Sequence, residues 1–221
     1  MKIARFLLPC LFLSGYVAAQ PAPQTKSSEL KDATPSPAFQ ERDFWHFKVT
    51  ARLTPGVSHS RALEDGIYVL RYAGGKIQVR RLIDGDEQPA GRRPVLLALL
   101  GLSEAEAYQT LKFPLSVGQT WRYTYEADGP RKIRTRNVEV RVAGIEQIST
   151  PAGVFQAFRV EKWENWSSGG PKWGVKVHNV PTVYFYSPET KSIVKYTLED
   201  ESGRMTDIEL IKFGTSRSDQ G

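Results

Sequence analysis

Cysteine is almost missing from this 221-residue chain; there is one, Cys10. It lies in an N-terminal stretch built like a secretory leader. Lys2 and Arg5 come first, an apolar run over 6–17 follows, and Val17-Ala18-Ala19 puts small residues at the cleavage positions. Cleavage is predicted after Ala19. A lipoprotein leader would be cut just before Cys10, but Pro9 and the very short run upstream argue against that. The mature protein then carries no thiol, so its fold uses neither disulfides nor thiolate ligands. The apolar run is shorter than a membrane span, and no later segment is long enough for a transmembrane helix.

Histidine is scarce as well. His46, His59 and His178 stand far apart, with none of the paired spacings that hold a metal. There is no G-x-S-x-G elbow, and the serines sit in turns, where their hydroxyls bond local backbone. Gly74-Gly75 and Gly169-Gly170 lack both the flanking pattern and the following helix of a phosphate cradle. No cofactor and no metal are expected. Excess charge is small. The formal +6 includes Lys2 and Arg5, so 28 basic against 24 acidic residues leave the mature chain at about +4. With no nucleic-acid module signature, that balance reads as solvated basic faces, and nucleic acid is excluded as a partner.

What the chain does have is alternation. In Trp121-Arg122-Tyr123-Thr124-Tyr125 the aromatics take every second position, so they share one face of a strand. Val138, Val140 and Val142 do the same opposite Glu139 and Arg141. Trp45, Phe47, Val49, Ala51 and Leu53 repeat the pattern with polar residues between them. Segments 66–72 and 76–83 flank Ala73-Gly74-Gly75 as a hairpin, and Thr150-Pro151-Ala152-Gly153 turns 145–149 back into 154–160. Gly144 is read as a strand end, 88–93 as a loop and 167–171 as a break. Aromatics at 11% favour β-structure.

Two strings within this region carry a resemblance: Phe113-Pro114-Leu115, then Gly118, then Trp121; and Gly144-Ile145-Glu146-Gln147-Ile148, then Thr150-Pro151-Ala152-Gly153, Phe155 and Ala157. They resemble a family of exported bacterial β-proteins known only as a domain of unknown function. The match covers about 113–213 and includes the Tyr186-Ser187-Pro188-Glu189 turn. These are turn formers and core aromatics, so the resemblance implies a fold and no activity. More loosely, strands following a signal peptide resemble the curved half-barrels of periplasmic lipoprotein carriers.

The organisation follows. Residues 1–19 form the signal peptide, 20–40 a Pro/Ser/Thr-rich flexible linker, 41–214 a single β-domain and 215–221 a disordered tail. Pro94 to Leu102, the most apolar stretch of the mature chain, reads equally as a buried strand or a short helix. Ser103 and Glu106 form a capping box, which places one short helix near 104–110. The fold class is all-β and antiparallel, a strongly curved sheet or open barrel of roughly ten strands.

Two clusters are the candidate sites. Trp163, Trp166 and Trp173, with Lys172, flank a Ser/Gly-rich loop; aromatics there can stack on sugar rings or meet acyl chains, or can simply be core. Arg131, Lys132, Arg134 and Arg136 form a basic hairpin able to face anionic lipid or lipopolysaccharide phosphates, or only water. Glu146, Glu161 and Glu164 are the acids a glycosidase pair would draw on. The leading expectation is a non-enzymatic periplasmic or secreted β-domain that binds an apolar or envelope-derived ligand or a partner; lipid, glycan and envelope protein are the candidates. The alternative is a structural or assembly factor of the envelope, acting through a sheet edge or the basic hairpin. An enzyme on a glycan substrate comes third. A continuous interior cavity would favour a carrier, and a filled interior a scaffold. Oligomeric state is open.

Overall fold

Where the sequence alternates, the chain is strand. The computed structural model describes residues 33–52, 63–91, 93–102, 109–128, 133–170, 174–199 and 205–215. The signal peptide and its cleavage site lie outside the described residues, as does most of the predicted tail. Twelve strands and one helix are described: β1 (Ala33–Thr34), β2 (Phe44–Arg52), β3 (Gly66–Ala73), β4 (Lys76–Ile83), β5 (Asp86–Pro89), α1 (Arg93–Ala98), β6 (Leu115–Ser116), β7 (Thr120–Asp128), β8 (Ile133–Thr150), β9 (Gly153–Gly170), β10 (Gly174–Ser187), β11 (Ser192–Glu199) and β12 (Met205–Gly214).

Ten of the strands form one antiparallel sheet in the order β5-β4-β3-β2-β12-β11-β10-β9-β8-β7. β2 is joined to β12, so the two ends of the domain close the middle of the sheet. Glycines set the tight turns. Gly74 and Gly75 both have positive φ, +60° and +75°, the conformation a two-residue hairpin turn requires, and they join β3 to β4. The predicted hairpin at Thr150–Gly153 is present, with Thr150 opposite Gly153.

Several expectations are corrected. The sheet is neither closed nor strongly curled; β5 and β7 remain separate edges. The apolar segment from Pro94 forms α1 and a following turn, not a strand, and its Leu96, Leu97, Leu99 and Leu100 pack into the core against the sheet. The helix near 104–110 falls largely outside the described residues, and Gln109 and Thr110 belong to no element. Gln88 and Pro89, the first residues of the expected loop, belong with Asp86 and Glu87 to β5, which pairs with β4. Gly144 does not end a strand; it marks a bulge, which lets β8 run 18 residues. Ser167–Gly170 stays in β9, paired with β10. Pro181 is tolerated within β10 because it pairs with Trp163 on β9, whereas β11 pairs with β10 only from Val183 onward. It therefore lacks an amide only where no described strand needs one. Part of the 20–40 segment is placed on the domain: β1 pairs with β6, and Phe39 packs edge-on against Trp45 at 5.5 Å.

The core lies between the sheet and the covering segment. Trp45 and Phe47 of β2, Leu70 of β3, Phe158 of β9, Tyr184 of β10 and Leu210 of β12 are fully buried with Leu96, Leu97, Leu99 and Leu100. Polar tethers fix the cover in place. The Ile193 amide donates to the Leu99 carbonyl at 2.6 Å. Tyr184 donates its hydroxyl to the Thr110 carbonyl, and the Thr110 hydroxyl donates to the Ala98 carbonyl at 3.0 Å. Within the sheet itself, the Trp45 indole N–H donates to the Thr190 carbonyl at 2.6 Å and ties β2 to the turn between β10 and β11. Each satisfies a buried polar group that would otherwise cost about 1–3 kcal/mol.

Candidate functional site

β7 to β10 extend beyond the core as a four-stranded arm, and both sequence clusters fall on it. Direct cross-strand partners point to the same face, so the register sorts the side chains. On the inner face, Trp121, Val140, Lys162 and Thr182 form one row, and Tyr123, Val138, Glu164 and Val180 the next. Tyr125, Arg136, Trp166 and His178 form a third. The face is apolar near the core and becomes charged further out.

Trp166 is enclosed in its row. Its ring stacks on His178 with centroids 4.8 Å apart and planes 1° from parallel, which is the spacing of adjacent strands. The Arg136 guanidinium, from the strand on the other side, lies 4.2 Å from the same ring's centroid. Both faces of the indole are thus occupied, by a ring and by a cation. Glu164 ties the rows together. Its carboxylate accepts from Arg136, from Tyr125 at 2.8 Å and from Lys162 at 3.3 Å. Burial alone would raise this carboxyl, but Lys162 and the hydrogen bonds from Arg136 and Tyr125 outweigh it and hold it below its ordinary range. Burial pushes the Tyr123 phenol up to about 12, and burial with the Glu164 charge raises Tyr125 as well. An ionised, three-fold bonded carboxylate is neither an acid nor an available base.

The sequence-predicted residues are therefore redistributed. Trp163 faces the opposite side from Trp166, half-buried between Glu139 and Pro181 on the outer face. Lys172 and Trp173 lie outside the described residues, as do Arg131 and Lys132. Arg134 is in β8 opposite Ala127, with its side chain outside the description. Arg136 is buried against Trp166 and Glu164, not turned to solvent. Glu161 is on the outer face with Arg159 at 3.0 Å, and Glu146 also bonds Arg159, whereas Glu164 is on the inner face. Glu164 is therefore apart from the other two, which share the Arg159 guanidinium. Among the described residues no three His, Cys, Asp or Glu side chains gather as metal ligands would, and no helix is long and apolar enough to cross a membrane.

Two further features were invisible in the sequence. The first is a depression of about 400 Å³ on the outer face, lined by Pro181, Val183, Phe185, Met205, Arg159 and Lys195. Its cations are already paired, Arg159 as above and Lys195 with Glu209 at 2.8 Å. The second is the free edge of β7. The Val142 amide donates to the Gln119 carbonyl at 2.9 Å, so Gln119 faces β8. Antiparallel alternation then turns the backbone of Trp121, Tyr123 and Tyr125 toward β8 and that of Arg122, Thr124 and Glu126 away from it. Among the described residues no strand pairs with that outer row. The other edge, β5, is four exposed residues, Asp86-Glu87-Gln88-Pro89, short and ended by a proline.

Neither a family model nor a curated protein matches the chain. Among solved structures, the chain is similar to an exported protein with a YmcC-like fold from Bacteroides fragilis, at 15% identity over 83% of this chain and 100% of that one, with a TM-score of 0.33. It is also similar to the hypothetical lipoprotein YmcC from Escherichia coli, at 9% identity over 80% of this chain and 89% of that one, with a TM-score of 0.36. A lipoprotein from Parabacteroides distasonis gives 12% identity over 83% and 100%, with a TM-score of 0.37. Likenesses this distant add nothing to what the residues themselves show.

Proposed function

We propose that this protein is a non-enzymatic, exported β-domain that works as a structural or assembly factor, binding a partner by strand addition to the outer edge of β7. The observation that carries this reading is the asymmetry of the two sheet edges. β5 is short and blunted; β7 runs nine residues with a row of backbone donors and acceptors facing outward. Such an edge is a template for another strand, and proteins that do not use it cover, shorten or block it. The filled inner face supports a scaffold over a carrier, and the enclosed Trp166 leaves no open ring face on which a sugar or acyl chain could stack.

The test is in-cell photo-crosslinking with a photoreactive residue at position 122 or 124, and at position 88 on β5 as control. Adducts at the two β7 positions and none at 88 are expected. Adducts at 88 alone, or none at β7, would contradict the reading.

A second reading, an apolar or envelope-derived ligand on the outer face, is favoured by the depression beside Phe185, whose size is within the usual range for small-molecule sites. Phe185→Asp would abolish such binding and leave β7 crosslinking unchanged.

A further inference from the structure

We propose that the strand added to β7 is β7 of a second copy of this chain, antiparallel and centred on Thr124. This rests on the edge reading above and names its partner. The edge is self-complementary about that residue. A two-fold axis at Thr124 sets Arg122 of one copy opposite Glu126 of the other, Thr124 opposite Thr124, and Glu126 opposite Arg122. All three are residues whose backbone groups face outward, so each pair exchanges two backbone hydrogen bonds. All three side chains are exposed. On the inner face the same axis sets Tyr123 opposite Tyr125 of the second copy. Opposite charges, threonine pairs and aromatic pairs are the cross-strand combinations that stabilise a ladder.

An axis at Arg122 or at Glu126, by contrast, sets like charges directly opposite, which destabilises. Arg122 does bond Glu139 within its own sheet at 3.1 Å, but both side chains are exposed, at 79% and 45%. Such a pair contributes little, and the guanidinium has donors for a second acid. The contact is isologous, so it closes at two copies and joins the two sheets edge to edge. The blunted β5 edges then stand at the outer ends, where they resist further growth.

Sedimentation velocity and native mass spectrometry of the exported chain test this. The wild type is expected to dimerise. Arg122→Glu and Glu126→Arg are each expected to weaken dimerisation by about tenfold, since each turns two attractive pairs into repulsive ones. The double variant R122E/E126R is expected to restore it. Mixing the two single variants, whose edges then carry opposite charges, is expected to give a mixed dimer tighter than either variant alone. Circular dichroism confirms that each variant is folded, and the mixture decides the outcome if the double variant is not. A chain that stays monomeric, a dimer unmoved by R122E, or a mixture that fails to pair overturns the proposal. A monomer whose position 124 crosslinks to a different protein overturns self-pairing but leaves the edge reading standing. A monomer with no adduct at β7 overturns both.

Discussion

Trp166 and His178 lie face to face, 4.8 Å apart and parallel to within 1°, as direct partners across β9 and β10. With Arg136 on the opposite side of the indole, the stack makes Trp166 part of the framework. Trp163, three residues earlier, points the other way. Trp166→Ala is therefore expected to destabilise the fold by about 3 kcal/mol or more, in the range for a buried tryptophan. The half-buried Trp163, as Trp163→Ala, is expected to cost less. Urea unfolding of the two variants checks this, and the reverse order would contradict the assignment of faces.

Glu164 neutralises two buried cations, whose side chains are 10% and 9% exposed. Removing its charge with Glu164→Gln leaves both cations without this anion, at an expected cost of about 3 kcal/mol. The variant should also change the acid response. The folded carboxyl is held below its ordinary value of 4.5, so the folded state binds fewer protons than the unfolded one. This contribution is present above 4.5 and is lost as pH falls through the folded value. Unfolding midpoints measured down through that range should fall steeply in the wild type and less steeply in E164Q.

His46 titrates in a separate window. Burial, then the charges of Lys212 and Arg71, lower it from 6.5, while Glu87 pulls weakly the other way. The unfolded chain takes up this proton near 6.5 and the folded chain resists it, so stability declines as pH falls from 6.5 toward the folded value. His46→Gln should flatten the wild-type stability profile in that window and leave the slope below 4.5 intact. An unchanged slope near 6.5 in the variant would contradict this account.

The strands were legible in the sequence because their signal is local. Trp45-x-Phe47-x-Val49 and Trp121-x-Tyr123-x-Tyr125 became β2 and β7 with the expected alternation. The separation of Trp163 from Trp166 was legible too, since residues three apart on a strand must face opposite sides. The two tryptophans are close in sequence but lie on opposite faces of β9. The length of β8, β9 and β10 was not legible, because Gly144, Gly169 and Pro181 are breakers by local chemistry. Gly144 and Gly169 are kept in strands by a single paired neighbour, Arg159 of β9 and Val175 of β10, and Pro181 by the lack of one on its amide side. Nor could the sequence show that β7 is an edge, which depends on which strands pair, or that Arg136 turns inward to Glu164, 28 residues away.

Proline separates the two rows of β7. The Thr124 amide faces away from β8, so Thr124→Pro removes no ladder bond and is expected to cost under about 1 kcal/mol while blocking strand addition. The Tyr123 amide faces β8, so Tyr123→Pro is expected to cost about 3 kcal/mol. Thermal unfolding of the two variants, with position 122 crosslinking in the T124P background, checks both halves. A T124P variant as unstable as Y123P would contradict the outward orientation.

Residue-resolved amide hydrogen exchange on β7 tests the central claim most directly. In the associated wild-type protein, the amides of Arg122, Thr124 and Glu126 are expected to be as well protected as those of Trp121, Tyr123 and Tyr125. In Arg122→Glu the outer three are expected to lose protection while the inner three keep it. Exchange at the outer amides that is fast in the wild type, or that is slow and unchanged in R122E, would contradict a partnered edge.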